Sequence, residues 1–420
     1  MSLLADLLST AFDRASRYVS PGKWDERPVP ELVAELIGSP GEVRGMELAR
    51  QILDKYATMD DTGRAEFFEL LAMGMDIDAQ AVRTTLSAYE KQPSKSTYSA
   101  FMDASEPPRQ ELIRRLNQAS NATASLVAMR DDLIKMAKKN ASFAALDLDF
   151  KHLFSSWFNR GFLVLRPINW KSPAHILEKI ITYEAVHAID SWDELRQRLQ
   201  PSDRRCFAFF HPSMADEPLI FVQVALTRGI PDSIQMVLAN DRQGIEAGEA
   251  DTAVFYSISN CQSGLAGISF GNSLIKQVVE DLSHELPELT TFVTLSPIPG
   301  LADWLENEGW EEDLDNDSMP QIAAHYLINA KRPDGLPVDP VARFHLGNGA
   351  IVHAIHGQAD MSVSGLAQSH GAMVNYLYDL RAISKNHVLY ASEHDVVASQ
   401  AVKTLARAAV RPATKESQHG

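Results

Sequence analysis

Over roughly the first 150 residues the apolar positions recur at helical spacing. Pro30 opens a run over 31–37 and Gly38 closes it. Proline suits a helix start because the N–H it lacks has no intrahelical partner there, and glycine tolerates the backbone needed at the end. Leu48, Ile52, Leu53 and Tyr56 fall on one helix face. So do Phe67, Leu70 and Leu71, and then Val82, Leu86 and Tyr89. After the breaker Pro107-Pro108 come Leu112, Ile113 and Leu116, and a last stripe runs through Leu126, Met129, Leu133, Ile134 and Met136. Neither a strand pattern nor a fixed-period repeat interrupts this segment. It reads as an all-helical bundle over 1–150 that serves packing or oligomerisation.

The texture changes near residue 150. Residues 162–165 form a short strand candidate. Ser172-Pro173 opens a helix to about 187, and Ser191 with Glu194 makes a capping box for another ending near 199. Two apolar runs, 206–211 and 219–226, flank the turn-rich segment 212–218 and predict a hairpin. A strand over 254–258 leads through a glycine-bearing turn into a helix over 272–286, which Pro287 stops. A strand over 292–295 delivers Ser296 at its end. A helix is expected over 298–307, and the acidic run 306–317 reads as a solvated loop. Further helices are expected near 370–384 and 392–408, with a frayed tail from 411. The class is α+β, with a helical domain over 1–150 and a strand-containing domain over 151–420.

Composition narrows the partners. A chain of 420 residues suggests about two domains. The formal charge of -16 argues against nucleic acid or an anionic membrane as main partner, since both need a basic face. A small polyanion needs only a local basic patch. No apolar run approaches the roughly 18 residues of a membrane span. Cys206 and Cys261 read as free thiols in a reducing compartment. The first residues are apolar but carry no basic stretch ahead of them. Asp6 and Asp13 weigh against a transit peptide, so the cytoplasm is the expected location.

Three segments could carry chemistry. The first is the turn 262–271, which holds Gly264, Gly267 and Gly271 between a strand and an amphipathic helix. Glycines let backbone N–H groups approach an anion, and the helix N-terminus adds its positive dipole end. Spacing alone leaves open a pyrophosphate seat or a plain connection. Gly267-Ile-Ser269-Phe-Gly271 also fits a hydrolase nucleophile elbow, but such a serine must sit directly off its strand. The second segment is Leu295-Ser296-Pro297-Ile298-Pro299-Gly300. Its two prolines hold a serine in an extended turn, which suits either a placed hydroxyl or a strand terminator. The third is Arg343-Phe344-His345-Leu346-Gly347-Asn348-Gly349. Histidine is the common proton donor near neutral pH, though a lone one is as readily structural. His353 and His356 could share a helix face and mimic a metal pair, but no Cys or second carboxylate pair has metal-ligand spacing.

In this order the three segments resemble the malonyl-CoA decarboxylase family. Residues 254–259, 264–267 and 274–276 look like its CoA-binding strand, turn and helix. Residues 295–300 look like its catalytic serine segment, and 340–350 its catalytic histidine segment. Residues 211–227 and 375–378 also fit, and the likeness is close over about 150–410. The chain ends without the Ser-Lys-Leu peroxisomal signal of some animal members, which points to a cytoplasmic version.

The resemblance implies a catalytic domain similar to the GNAT N-acetyltransferase superfamily, preceded by a helical domain, in a homotetramer. It implies Ser296 and His345 as the catalytic pair, with Tyr378 orienting the histidine or the substrate. CoA pyrophosphate would rest on the backbone of Ala266, Gly267, Ile268, Ser269, Phe270, Gly271 and Asn272. The expected reaction converts malonyl-CoA to acetyl-CoA and carbon dioxide through an enolate, within fatty acid or malonate metabolism. It needs no metal, biotin or pyridoxal cofactor. Competing readings are a GNAT-like acyl-CoA N-acyltransferase, a hydrolase centred on Ser269, and a non-catalytic CoA-binding protein.

Overall fold

The computed structural model describes residues 24–39, 41–268, 274–310 and 318–409. They form two compact units. The first runs to Phe162 and also takes His211–Ala215 and Gln262–Ser269; the second holds Leu163–Phe210, Asp216–Cys261 and the chain from Phe270 onward.

The first unit is helical: α1 (Val29–Gly38), α2 (Glu42–Ala57), α3 (Asp61–Glu69), α4 (Ala79–Lys91), α5 (Lys95–Ser105), α6 (Pro108–Leu116), α7 (Ala122–Ala137) and α8 (Ala144–Trp157). Because α8 continues unbroken past residue 150, the units part at Phe162 rather than at the change of texture. The periodic positions form the core. Leu32, Leu36, Leu48, Ile52, Leu112, Ile113, Leu116, Leu126 and Leu133 are completely buried. Each such side chain contributes about 1.5–3 kcal/mol relative to exposure. The stripe on α4 behaves differently: neither α4 nor α5 buries a residue, and Leu86, Tyr98 and Met102 remain exposed.

The turn Ser263–Leu265 packs on α7. Arg130, itself buried, donates through Nη1 to the carbonyl oxygens of Gly264 (2.7 Å) and Ala266 (3.0 Å), while its Nε donates to Asp147 at 2.9 Å. A side chain at position 264 would overlap the carbonyl of Val127, so only glycine allows this approach.

The second unit is an eight-stranded mixed sheet with helices. Its elements are β1 (Val164–Ile168), α9 (Ala174–Tyr183), α10 (Trp192–Leu199), β2 (Arg204–His211), β3 (Met214–Thr227), α11 (Ile234–Leu238), β4 (Thr252–Asn260) and α12 (Leu274–Glu285). Then follow β5 (Thr291–Thr294), β6 (Ser296–Pro297), α13 (Leu301–Glu308), α14 (Met319–Asn329), α15 (Pro340–Gly347), β7 (Ile351–His356), α16 (Val363–Ser369), β8 (Met373–Leu377), α17 (Ile383–Glu393) and α18 (Gln400–Ala408). The strand order is β1-β2-β3-β4-β5-β8-β6, with β7 also on β8. Both faces are covered. Phe207 and Phe209 join Ile275, Val278 and Leu282 of α12 in one core cluster. Cys206, Ala208 and Phe210, the alternating set, join Ile176, Ile180 and Leu195 in another.

One junction shapes the site. β4 and β5 run parallel from Thr252↔Thr291 to Phe255↔Thr294. There their pairing stops, while β4 continues to Asn260 against β3. β5 turns instead into β6, carrying Ser296.

Several expectations need correction. The helix expected near 370–384 is absent, and β8 and the start of α17 occupy that stretch. Met373, Val374, Asn375 and Tyr376 are all buried, so no alternation marks the strand. β7 takes the place of the helix imagined under His353 and His356, and His356 Nε2 meets Asn375 Oδ1 at 2.5 Å. The helix after Pro173 ends at Tyr183, and β3 begins at Met214, which leaves the hairpin turn to Pro212 and Ser213. Of the region expected to be helical over 392–408, only the end of α17 and Gln400–Ala408 are. The acidic stretch 311–317 and the tail from 411 lie outside the described residues.

Replacing Gly264 by alanine should cost about 3 kcal/mol, the upper end of the usual cost of overpacking. Gly38→Ala, whose new methyl meets no atom within 4 Å, should be neutral or slightly stabilising. Urea unfolding of both variants beside the parent chain checks this; equal stabilities would remove the close approach to Val127.

Candidate active site

The segment from Thr294 to Gly300 begins inside the sheet. Val293 pairs with Leu377 and Ser296 with Val374 on β8, so one antiparallel register continues across β5 and β6. Between those pairs side chains replace backbone partners. Tyr376 N donates to Thr294 Oγ1 (3.1 Å), and Asn375 Nδ2 donates to the carbonyl of Thr294 (2.8 Å). Ser296, two residues beyond Thr294 and hence on the same strand face, donates its hydroxyl to Thr294 Oγ1 at 2.8 Å.

His345 sits in the last turn of α15. Asp339 caps that helix, with Oδ1 accepting from Ala342 N at 2.7 Å, and Pro340 is at its start. The Gly-Asn-Gly turn ends it. Ala350 N returns to the carbonyl of His345, and Gly349 has φ +83° against the carbonyl of Ile383, where no side chain fits. The motif around His345 is thus first a helix stop, and the stop fixes where the histidine lies.

The three predicted side chains meet. Ser296 Oγ lies 3.3 Å from His345 Nε2, and Tyr378 OH lies 2.7 Å from His345 Nδ1. The His345 ring stacks on Tyr376 with centroids 4.5 Å apart and planes at 22°. All four are buried. Burial pushes His345 down to about 3 and holds the phenols of Tyr376 and Tyr378 far above their ordinary value. The resting site is therefore neutral, with one imidazole that can both give and take a proton. Asp339, behind it, is lifted by burial to about 6 against the pull of nearby backbone N–H groups.

Of the predicted CoA turn, Ala266, Gly267 and Ile268 belong to the helical unit. Ala266, Gly267 and Ile268 follow the Ser263–Leu265 turn, and Gly267 has φ +73° with Lys151 Nζ beside it. Ser269, Phe270, Gly271 and Asn272 lie outside the described residues. β4 ends at Asn260, so the serine at 269 does not follow its strand directly, as an elbow nucleophile must. Sequence reading missed Thr294, Tyr376 as the ring beneath His345, and Arg130. The first had a usable signal, because Thr294 and Ser296 are spaced for one strand face.

Family models then decide the relationship. The malonyl-CoA decarboxylase N-terminal domain matches residues 76–158, and the C-terminal domain of the same family matches 161–317 and 304–418. The chain belongs to the malonyl-CoA decarboxylase family. The mitochondrial malonyl-CoA decarboxylase of Anser anser anser is 31% identical over 434 residues, covering 89% of this chain and 85% of that protein. The Mus musculus protein is 30% identical, covering 81% of each. Among solved structures, malonyl-CoA decarboxylase from Rhodopseudomonas palustris is 46% identical with a TM-score of 0.85, over 90% of this chain and 98% of that one. The Agrobacterium vitis protein is 49% identical with the same TM-score, over 90% and 99%. The family's two-part organisation agrees with the helical unit and mixed sheet described above.

Two histidines kept neutral by desolvation, the buried His345 and the half-buried His187, make stability acid-sensitive. His345 near 3 and His187 near 4 refuse protons that the unfolded chain takes up below about 6.5. The stability they supply is full above pH 6.5 and is lost as pH falls toward those values, by at most about 1.4 kcal/mol per pH unit for each group. Asp339 has the opposite sign, since its folded form binds a proton first between about 6 and 3.8. Urea unfolding between pH 7 and 5 should show stability falling, with a shallower slope in His345→Phe. An unchanged slope in that variant would contradict a neutral buried His345.

Proposed function

We propose that this chain decarboxylates malonyl-CoA to acetyl-CoA and carbon dioxide at Ser296 and His345, without metal or organic cofactor. The observation that carries the residue assignment is the buried series Tyr378–His345–Ser296 at 2.7 and 3.3 Å. Loss of carbon dioxide breaks the bond between the α-carbon and the carboxylate and leaves its electron pair as an enolate on the thioester. The enzyme must orient the carboxylate, stabilise the enolate oxygen and return one proton to the α-carbon. A single donor at that oxygen is worth about 3 kcal/mol.

His345 supplies the proton. Alone it is neutral because burial penalises its charged form. A malonyl carboxylate entering the same buried space is the missing counter-charge, and an opposite charge within about 4–6 Å favours protonation. His345 thus takes up a proton from solvent as the substrate binds. When carbon dioxide leaves, the negative charge moves to the enolate, the proton passes from imidazolium to α-carbon, and His345 is neutral again. Ser296 accepts from Nε2 and so holds the imidazole beside the acyl group, while Tyr378 donates to Nδ1 of the neutral ring and accepts from it in the imidazolium.

CoA pyrophosphate is assigned to the turn from Ala266 to Asn272. The exposed apolar side chains Leu86, Tyr98 and Met102 support self-association through the helical unit, within a homotetramer. Cys206 and Cys261 are buried and free, and burial raises both thiols, which fits a reducing cytoplasm.

His345→Ala should lower turnover about 10²–10⁴-fold, the value of a positioned general acid, with CoA affinity nearly intact. Ser296→Ala should cripple turnover likewise, and the double variant should be little worse than the poorer single one. Ser269→Ala should remain active. Malonyl-CoA turnover and free CoA binding, measured together, decide the matter: normal turnover by Ser296→Ala, or its selective loss in Ser269→Ala, would move the chemistry elsewhere. Leu86→Glu with Met102→Glu should yield a smaller, folded species by light scattering, since neither residue belongs to the core. An unchanged mass would assign assembly to another surface.

A further inference from the structure

Thr294 is fixed more firmly than a strand residue beside a turn requires. Its hydroxyl oxygen accepts the Tyr376 amide at 3.1 Å, a donor that the surrounding antiparallel register would otherwise aim at a backbone carbonyl. The Thr294 carbonyl is taken by Asn375 at 2.8 Å, and the whole residue is buried. Thr294 Oγ1 is therefore held in place by the sheet itself.

Onto this oxygen Ser296 donates its only hydroxyl proton, at 2.8 Å against the 3.3 Å that separates Ser296 Oγ from His345 Nε2. A serine that spends its proton on Thr294 can only accept from His345. Nε2 must then carry a hydrogen. In a neutral imidazole Nδ1 is left as the acceptor, and the Tyr378 hydroxyl stands 2.7 Å from it as donor. The directions run consistently from Tyr378 O–H to Nδ1, from Nε2–H to Ser296 Oγ, and from Ser296 O–H to Thr294 Oγ1.

We infer that Thr294 is a positioning residue that sets the direction of hydrogen bonding through Ser296 and His345, so that His345 faces the acyl group as a proton donor and Ser296 is not a nucleophile. In a serine hydrolase the same two side chains run the other way, with the serine donating to the imidazole and the imidazole acting as base. The inference rests on the assignment of Ser296 and His345 above. Uptake of a solvent proton by His345 when the substrate binds leaves the direction at Nε2 unchanged.

Removing the acceptor should reverse the pair. In Thr294→Val the Ser296 proton turns to Nε2, and Ser296 Oγ gains a base. It can then attack the thioester carbonyl: the C–S bond breaks, the CoA thiolate takes the proton held by His345, and water releases the free acid from Ser296. Thr294→Val should therefore lose decarboxylation about 10²-fold or more, a positioned acid's worth, while CoA binding is kept. It should gain fluorophosphonate labelling at Ser296 that the parent enzyme lacks. Thr294→Ser, which keeps the oxygen, should recover decarboxylation to within about tenfold of the parent. Decarboxylation by Thr294→Val within about threefold of the parent overturns the inference, as does a Thr294→Ser variant no better than valine. Ready labelling of Ser296 in the parent enzyme also overturns it. Should the valine variant not fold, nitrogen-15 spectra of histidine-labelled parent enzyme decide, with His345→Gln identifying the resonance. The Nε2–H tautomer is expected, and the Nδ1–H tautomer would overturn the inference. Retained turnover in Ser296→Ala would instead sink the residue assignment itself, which keeps the two failures distinct.

Discussion

Where β5 passes β8, the amide of Tyr376 and the carbonyl of Thr294 each bond to a side chain rather than to the opposing backbone. Much of the site depends on this opening in the ladder. It frees Thr294 Oγ1 to receive Ser296, and it coincides with the point where β5 stops pairing with β4. The same two residues of β8 that repair the opening, Asn375 and Tyr376, also serve the histidine side. Asn375 meets His356, and the ring of Tyr376 lies flat against His345. A buried polar group left unpaired costs about 1–3 kcal/mol, so an opening of this kind persists only because side chains of the right length fill it.

Burial sets the chemical character of His345. An imidazole in water titrates near neutrality and would be charged part of the time. Enclosed by Tyr376 and Tyr378, with no carboxylate among the described residues bonded to it, His345 has nothing there to stabilise a charge until an anion enters. The arrangement differs from a triad, where a buried carboxylate permanently supports the imidazolium. The buried carboxyl of Asp339 instead caps the helix that carries His345.

The readable parts of this sequence were those with local physical signatures. Leu32, Leu112 and Leu126 announced their helices by spacing, and the prolines after Ser296 announced a rigid turn. Tyr378 came only through resemblance to a family, because a tyrosine at the end of a strand carries no sign that its hydroxyl will find a histidine. β8 was misread because a five-residue strand buried on both faces shows no alternation. The residues around Glu31 carry the mark of a helix in their own spacing, whereas Met373 to Leu377 take their conformation from β5, β6 and β7. The partnership of Arg130 with Gly264 and Ala266 spans more than a hundred residues and has no local trace at all.

That last partnership has a consequence for synthesis. The chain crosses between its two compact units several times, and the first unit is not complete until residue 269. A ribosome releases α7 and α8 early, yet Arg130 waits for a carbonyl acceptor 134 residues downstream. At elongation rates of about 5–20 residues per second this interval lasts many seconds. The pairing of Arg130 with Gly264 and Ala266 can therefore form only after about 130 further residues have been made.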